Sequence, residues 1–118
     1  RLSVQVAEDL HVELPNEGCR TTDLTRYPWQ FLNHACDPNA AFVGLRLVAP
    51  QRIERWDEIT FNYNTTEYDM AESFRCGCGE CGGREVRGFR HLDIAEKEAL
   101  RPRLAQHLLR RLDESGRA

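Results

Sequence analysis

The chain has 118 residues, of which 41% are hydrophobic and 30% charged, and its net charge is −3. This length fits one small domain with its own core. The slight negative charge excludes a general nucleic-acid binder, which would carry a basic surface. No apolar run approaches the ~20 residues of a membrane span, and no secretory signal sequence is recognisable. We therefore expect neither nucleic acid nor membrane as a direct partner.

The first segment predicts a β-hairpin. Apolar and polar residues alternate on both sides of Glu8 and Asp9, which suit a turn. The apolar positions are Leu2, Val4, Val6, Leu10, Val12 and Leu14.

Residues 31–39 combine a tight turn with several reactive side chains. Pro38 fixes its own φ, and the flanking Asp37 and Asn39 can hydrogen-bond neighbouring backbone, so the segment ends in a bend. Before the bend lie an apolar ring, an amide, an imidazole and a thiol, contributed by Phe31, Asn33, His34 and Cys36. These groups suit a binding or catalytic site. The alternative is an ordinary strand-to-turn junction in which the histidine and the cysteine are merely buried.

Two later stretches predict further strands. Apolar residues dominate residues 42–48, and Pro50 ends this strand. Ile59, Phe61 and Tyr63 then alternate with polar residues, so one face of the next strand is aromatic. On periodicity alone, such a face favours a core over an active site. Together these segments predict a mainly β protein.

Three of the five cysteines, Cys76, Cys78 and Cys81, are crowded into six residues and separated by glycines. Such crowding disfavours disulfides, whose Cα atoms must lie apart, and favours a metal ion. Structural zinc takes four ligands, so one more must come from elsewhere. The candidates for it are Cys19, Cys36, His34 and His91. An iron–sulfur cluster is less favoured because its usual cysteine spacing is missing.

The C-terminal part predicts one amphipathic helix. Leucines recur every four residues at positions 100, 104, 108 and 112, and Pro102 is tolerated in the first turn. We expect the arginines at positions 101, 103, 110 and 111 to form a solvated face of this helix.

Three motifs in succession resemble those of SET-domain protein-lysine methyltransferases. They are residues 31–39, the strand at residues 58–63 and the cysteine cluster at residues 76–81. Their order and spacing are similar to a SET core followed by a post-SET zinc segment in a small stand-alone member. The resemblance implies a SET domain at residues 1–70, a post-SET zinc segment at 71–93, and a C-terminal helix and tail at 94–118.

The resemblance also implies a fold and a set of metal ligands. SET domains have a β-clip-like fold of short, curved sheets, in which the segment of Asn33 and His34 and the strand of Tyr63 are threaded together in a pseudoknot. This is an exception to the general avoidance of threaded chains. Family members use the cysteine of the first motif as the fourth zinc ligand. The implied ligands are therefore Cys36, Cys76, Cys78 and Cys81.

By the same resemblance, the cofactor is S-adenosylmethionine and the substrate is a lysine of a protein, histone-like or otherwise basic. Asn33 and His34 match positions that hold the amino-acid and adenine parts of the cofactor, and Phe31 matches a residue beside it. Tyr63 matches the active-site tyrosine, and Phe61 a residue lining the lysine channel. Reduced thiols and zinc imply a cytoplasmic or nuclear location.

Two other functions remain as alternatives at this stage. The family's glycine-rich first motif is not found before Asn33, so we expect the SET domain to be incomplete at its N terminus. This favours a catalytically silent, zinc-stabilised SET-like module that binds a protein. The joint presence of Asn33, His34 and Tyr63 favours the enzyme, because a binding module has no chemical need for that trio. A hydrolase using Cys36 and His34 is more remote, since no acid is positioned to orient the ring.

Overall fold

The computed structural model describes residues 3–13, 32–79 and 81–115. The strands are β1 (Ser3–Ala7), β2 (Leu10–Glu13), β3 (Asn33–His34), β4 (Ala41–Val43), β5 (Arg46–Val48), β6 (Thr60–Phe61), β7 (Phe74–Arg75) and β8 (Glu85–Val86). The helices are α1 (Ile94–Ala99) and α2 (Gln106–Ser115), and single 3-10 turns lie at Tyr63–Thr65, Phe89–His91 and Arg101–Arg103. Neither described helix has the length and apolar character needed to cross a bilayer. Short sheets with two helices agree with the mainly β prediction.

The strands of the described residues pair into four two-stranded sheets. β1 and β2 form the predicted antiparallel hairpin, which turns at Glu8 and Asp9. The outermost predicted positions, Leu2 and Leu14, lie outside the described residues. β7 and β8 form a second antiparallel pair, which frames the cysteine cluster between them.

The prediction of one strand over residues 42–48 is wrong. The segment is a hairpin in which β4 and β5 pair antiparallel, with Ala41 opposite Val48 and Val43 opposite Arg46. Gly44 begins the two-residue connection with a φ of 61°, a conformation that glycine adopts without steric cost. Apolar residues occupy both strands of the hairpin, so the composition of the segment does not distinguish a hairpin from one continuous strand.

The aromatic strand is also shorter than predicted. β6 ends at Phe61, and Tyr63 lies in the 3-10 turn that follows. The side chain of Asn62 accepts a hydrogen bond from the main-chain N–H of Asn64, at 3.0 Å. This local bond offers the backbone an alternative to strand pairing, so the chain turns inward immediately after Phe61.

β3 and β6 are parallel neighbours although they lie far apart in sequence. Asn33 is opposite Thr60 and His34 is opposite Phe61. Asn39 reinforces this short pairing, because its amide donates to the main-chain carbonyl of Glu58 at 2.7 Å and accepts from the N–H of Thr60 at 2.9 Å. The pairing brings together the two segments that the predicted pseudoknot would thread. The threading itself stays a prediction.

Two apolar clusters form the core of the described residues. The first contains Leu32, Phe61, Tyr63, Cys76 and Val86. The second contains Phe89, Leu108 and Leu112, with Tyr68, Leu92 and Leu104 packed against it. The first cluster thus joins the β3–β6 pair to the cysteine segment, whereas the second fixes the C-terminal part.

The prediction of a single C-terminal helix through four leucines is wrong. α1 ends at Ala99, a 3-10 turn containing Pro102 follows, and Leu104 is extended before α2 begins at Gln106. Proline lacks an N–H and cannot continue the ladder of the preceding helix. The arginine face is also not uniformly solvated, since the Arg111 guanidinium stacks 3.8 Å from the centroid of the Tyr68 ring.

We expect Asn39→Ala to lower the free energy of unfolding by about 1–3 kcal/mol, because it leaves the Glu58 carbonyl and the Thr60 N–H at the start of β6 without their side-chain partner. Urea denaturation measures this change. Asp37→Ala is the control, since Asp37 is an exposed residue of the same turn and its loss should change stability by no more than ~0.5 kcal/mol. Equal effects of the two substitutions would contradict the role of Asn39 in holding β3 and β6 together.

Candidate functional site

The side chains of β3 point alternately to two sides, as expected for extended backbone. Asn33 is exposed, whereas His34 is buried and Cys36 is half-buried. The amide of Asn33 donates a hydrogen bond to the carboxylate of Glu58. Asn33 therefore faces a solvent-accessible space that the acid also borders, while His34 and Cys36 face inward.

His34 is held on both ring nitrogens. Its Nδ1 accepts the main-chain N–H of Tyr63 at 3.0 Å, and its Nε2 lies 3.7 Å from the Cys36 sulfur. The ring also packs edge-on against Tyr63 and Phe74, with centroids 5.4 and 5.9 Å apart. Burial, with a smaller contribution from the Arg84 cation, lowers the pKa of His34 to about 4. The imidazole is therefore neutral at pH 7.

Tyr63 lies at the centre of an aromatic group. Its hydroxyl donates to the main-chain carbonyl of Leu32 at 2.5 Å. Its ring centroid lies 4.8 Å from that of Phe61 and 5.7 Å from that of Phe74. Phe61 is fully buried and meets Phe42 edge-on at 4.9 Å. The hydroxyl is thus fixed by the same segment that carries Asn33.

A cleft of about 440 Å³ opens beside these residues. This volume lies within the range of ~300–1,000 Å³ that small-molecule sites occupy. Its lining consists of Asn33, His34, Ala35, Glu58, Thr60, Tyr63, Phe74, Arg75, Gly77 and Cys78. The cleft therefore lies between the β3–β6 pair and the cysteine segment, and it combines an aromatic ring with one acid and one guanidinium.

Sequence reasoning missed three lining residues of this cleft, namely Glu58, Phe74 and Arg75. An aromatic residue and an arginine immediately before Cys76 were a usable signal, because a metal cluster fixes the residues beside it. Among the predicted residues, the structure brings Asn33, His34 and Tyr63 to the cleft. Phe61 lies behind Tyr63 and does not line it. Phe31 and Cys19 lie outside the described residues.

The sulfur atoms of Cys36, Cys76, Cys78 and Cys81 all lie within 4.8 Å of one another and form a group that could hold a metal ion. Cys36 and Cys76 are 3.6 Å apart, and Cys78 and Cys81 are 3.7 Å apart. A zinc–sulfur bond of about 2.3 Å gives a tetrahedron whose edge is about 3.8 Å. The residues present therefore fit a tetrahedral thiolate site.

Electrostatics in the cluster also favour a cation. Burial raises the pKa values of Cys36 and Cys76, while the main-chain N–H of Arg84 lowers that of Cys81. Four thiolates this close to one another repel, so their charged form needs a positive partner. Of the other predicted ligands, His91 instead pairs with Asp69 at 2.8 Å.

The geometry argues against a hydrolase built from Cys36 and His34. To act as a general base for Cys36, His34 would need a free lone pair on Nε2, the nitrogen that faces the sulfur. The single proton of the neutral imidazole would then sit on Nδ1. Nδ1, however, receives the N–H of Tyr63, so it must be the unprotonated nitrogen. Burial also raises the pKa of the Cys36 thiol, which opposes its activation as a nucleophile.

Comparison with known proteins finds a match to one family and several relatives. The SET domain profile matches residues 7–64, just under half of the chain. A histone-lysine N-methyltransferase of Candida albicans, H3 lysine-36 specific, is 46% identical over 59 residues, which cover 43% of this chain and 7% of that protein. Methyltransferase flvH of Aspergillus flavus is 33% identical over 81 residues, which cover 65% of this chain and 39% of that protein.

A third relative is the histone-lysine N-methyltransferase mes-4 of Caenorhabditis elegans, 33% identical over 92 residues, which cover 64% of this chain and 10% of that protein. This chain spans less than half the length of each of these three relatives. No solved structure matches it significantly. The matched profile contains the β3–β6 pair, the Asn39 contacts and Tyr63, so this part of the chain is similar to a SET domain.

Proposed function

We propose that this chain transfers a methyl group from S-adenosylmethionine to the side-chain amine of a lysine in a protein substrate. The observation that carries the proposal is the meeting of Asn33, His34 and Tyr63 at one cleft inside a SET domain. Two of the relatives described above are named histone-lysine N-methyltransferases, which makes a histone tail the first substrate to test. Nuclear location is part of the same proposal.

The lining of the cleft supports S-adenosylmethionine as the ligand. The methionine part of that molecule carries an ammonium and a carboxylate. Of the residues that line the cleft, Glu58 can pair with the ammonium and Arg75 with the carboxylate. Because the Asn33 amide donates its N–H to Glu58, the Asn33 carbonyl oxygen stays available to accept from the ammonium. Phe74 presents an aromatic ring on which adenine can stack. Phe31 remains a proposed contact on the family resemblance alone.

The bound cofactor would supply an electrophilic methyl group on a sulfonium. In the transfer, the neutral lysine amine would displace the sulfur, so that a carbon–nitrogen bond forms while the carbon–sulfur bond breaks, and S-adenosylhomocysteine would leave as the thioether. The proton lost from the lysine would go to solvent. Deprotonating a lysine costs about 4.6 kcal/mol at pH 7, and burial beside a cation lowers that cost. The chain's task is to align the amine with the methyl group and to exclude water.

Tyr63 and its neighbours are placed for that alignment. The Tyr63 hydroxyl and the Leu32 carbonyl lie together, so both oxygens can accept hydrogen bonds from a lysine amine or an activated methyl group. We propose that Phe61, behind Tyr63, sets the width of the lysine channel. Aromatic walls hold an aliphatic stem and a cationic centre without competing as nucleophiles.

We further propose that the four-cysteine group binds zinc and has a structural role. Gly77 and Cys78 line the cleft, so a metal held by the cluster would fix that wall of the cofactor site. Zinc at a closed thiolate site offers no open coordination position for chemistry.

Replacing Tyr63 tests the catalytic proposal. We expect Tyr63→Phe to lower the turnover number for methyl transfer to histone H3 by about 100-fold or more, because the fixed hydroxyl is lost while the ring remains. A radiolabel assay measures the transfer. Tyr68→Phe is the matched control, since Tyr68 packs in the second core cluster away from the cleft, and it should keep its activity. Unchanged turnover in Tyr63→Phe would remove this residue from the mechanism.

Binding by calorimetry tests the cofactor site. We expect Asn33→Ala to weaken S-adenosylmethionine by roughly 10-fold, the worth of one hydrogen bond to a charged group. The control ligand is 5′-methylthioadenosine, which lacks the amino-acid part and should bind both proteins equally. If both ligands weakened together, Asn33 would be acting through the fold. If the wild-type chain bound no S-adenosylmethionine, the silent protein-binding module would be favoured.

Metal analysis tests the cysteine cluster. We expect one zinc per purified chain, lost in Cys81→Ser but kept in Cys19→Ser, because the four clustered thiols of the described residues already make up a complete tetrahedral set. Binding should weaken as the pH falls, since protons compete for the thiolates. Elemental analysis with a chromogenic chelator measures both effects. A zinc content that Cys81→Ser leaves unchanged would count against the cluster as the site.

A further inference from the structure

We propose that His34 is a positioning residue that couples the metal cluster to Tyr63 through its two ring nitrogens. The inference rests on the proposed function and on the proposed zinc site, and it adds a role that neither requires. The imidazole lies between the Tyr63 main chain, 3.0 Å from Nδ1, and the Cys36 sulfur, 3.7 Å from Nε2.

The contact with Tyr63 fixes the tautomer of the ring. A main-chain N–H can only donate, so the Nδ1 that faces it must present a lone pair. The single proton of the neutral imidazole then sits on Nε2. In a ring with both nitrogens protonated, the Nδ1–H would point at the main-chain N–H of Tyr63. The geometry therefore excludes the doubly protonated ring.

With its proton on Nε2, the ring donates toward the Cys36 sulfur. An N–H donor to a metal-bound thiolate offsets part of the negative charge that four thiolates bring to one divalent ion. Such partners of metal ligands are typically worth 10- to 100-fold in metal affinity. His34 therefore acts on the cluster without being one of its ligands.

The packing of the ring makes this coupling stiff. His34 is 9% exposed and packs edge-on against both Tyr63 and Phe74, which also contact each other. A rotation that moved Nε2 away from the sulfur would also take Nδ1 from the Tyr63 N–H.

Two substitutions separate the contact of the ring with Tyr63 from its contact with Cys36. In His34→Asn the amide oxygen can occupy the place of Nδ1 and keep the Tyr63 bond, but no donor reaches Cys36. In His34→Gln the amide nitrogen can reach the place of Nε2 and donate to Cys36, but the acceptor for Tyr63 is lost. Each variant thus serves as the control for the other.

We expect His34→Asn to weaken zinc by roughly 10- to 100-fold in chelator competition and to shift the thiolate-to-metal absorption of the cobalt-substituted protein. We expect His34→Gln to keep zinc affinity within about 3-fold and to lower the turnover number through displacement of Tyr63. Equal loss of zinc in both variants, or none in either, would overturn the proposal.

A measurement on the unsubstituted protein guards against variants that fail to fold. Long-range nitrogen–proton spectra of the zinc-loaded chain, with His34 assigned from the His34→Asn spectrum or by selective labelling, should report a protonated Nε2 and an unprotonated Nδ1. The opposite tautomer would overturn the coupling. None of these zinc, cobalt or nitrogen signals needs methyl transfer, so a chain that shows them without activity would refute the proposed function and still support the His34 link.

Discussion

The parallel pairing of β3 with β6 is the constraint on which the rest of the molecule depends. Only two residue pairs define it. Around them, the N–H of Ala35 donates to the Phe61 carbonyl at 3.2 Å, and the N–H of Ala40 donates to that of Thr60 at 3.0 Å. The His34–Tyr63 and Tyr63–Leu32 bonds join the same two segments. Fold stability and site geometry are therefore set by one group of contacts, and a change that loosens the pairing also misplaces the tyrosine.

Much of this arrangement was predictable where the signal was local. The first hairpin followed from alternation around Glu8 and Asp9. The grouping of Cys76, Cys78 and Cys81 followed from their crowding, and the family resemblance added Cys36. Residues 42–48 were misassigned because an apolar hairpin and an apolar strand share a composition, and only the backbone of Gly44 separates them. The position of Phe74 and Arg75 immediately before Cys76 was a usable signal that sequence reasoning did not apply. The contact of these residues with the cleft also depends on the packing of the cysteine segment against β3, which spacing alone does not give.

The alternation of side chains in β3 explains how one short motif serves two tasks. Asn33 points to the cleft and its acid, while His34 and Cys36, two residues apart, share the inner face. Sequence reasoning recognised that the histidine and the cysteine would share a face, and it assigned the histidine to the cofactor, which stays a prediction. The bond between Nδ1 and the Tyr63 N–H is a contact that no sequence pattern reveals.

The cysteine segment has little apolar content with which to hold itself in place. Gly79, Gly82 and Gly83 all have positive φ values, so the chain there follows a path that few other residues tolerate. Glycines also lose the most conformational entropy on ordering, and they bury no side chain in return. A metal held by four thiolates would supply the missing stabilisation. Because Gly77 and Cys78 form one wall of the cleft, the proposed ion would support the proposed methyl transfer by completing a binding surface. The imidazole of His34 would then link this wall to Tyr63.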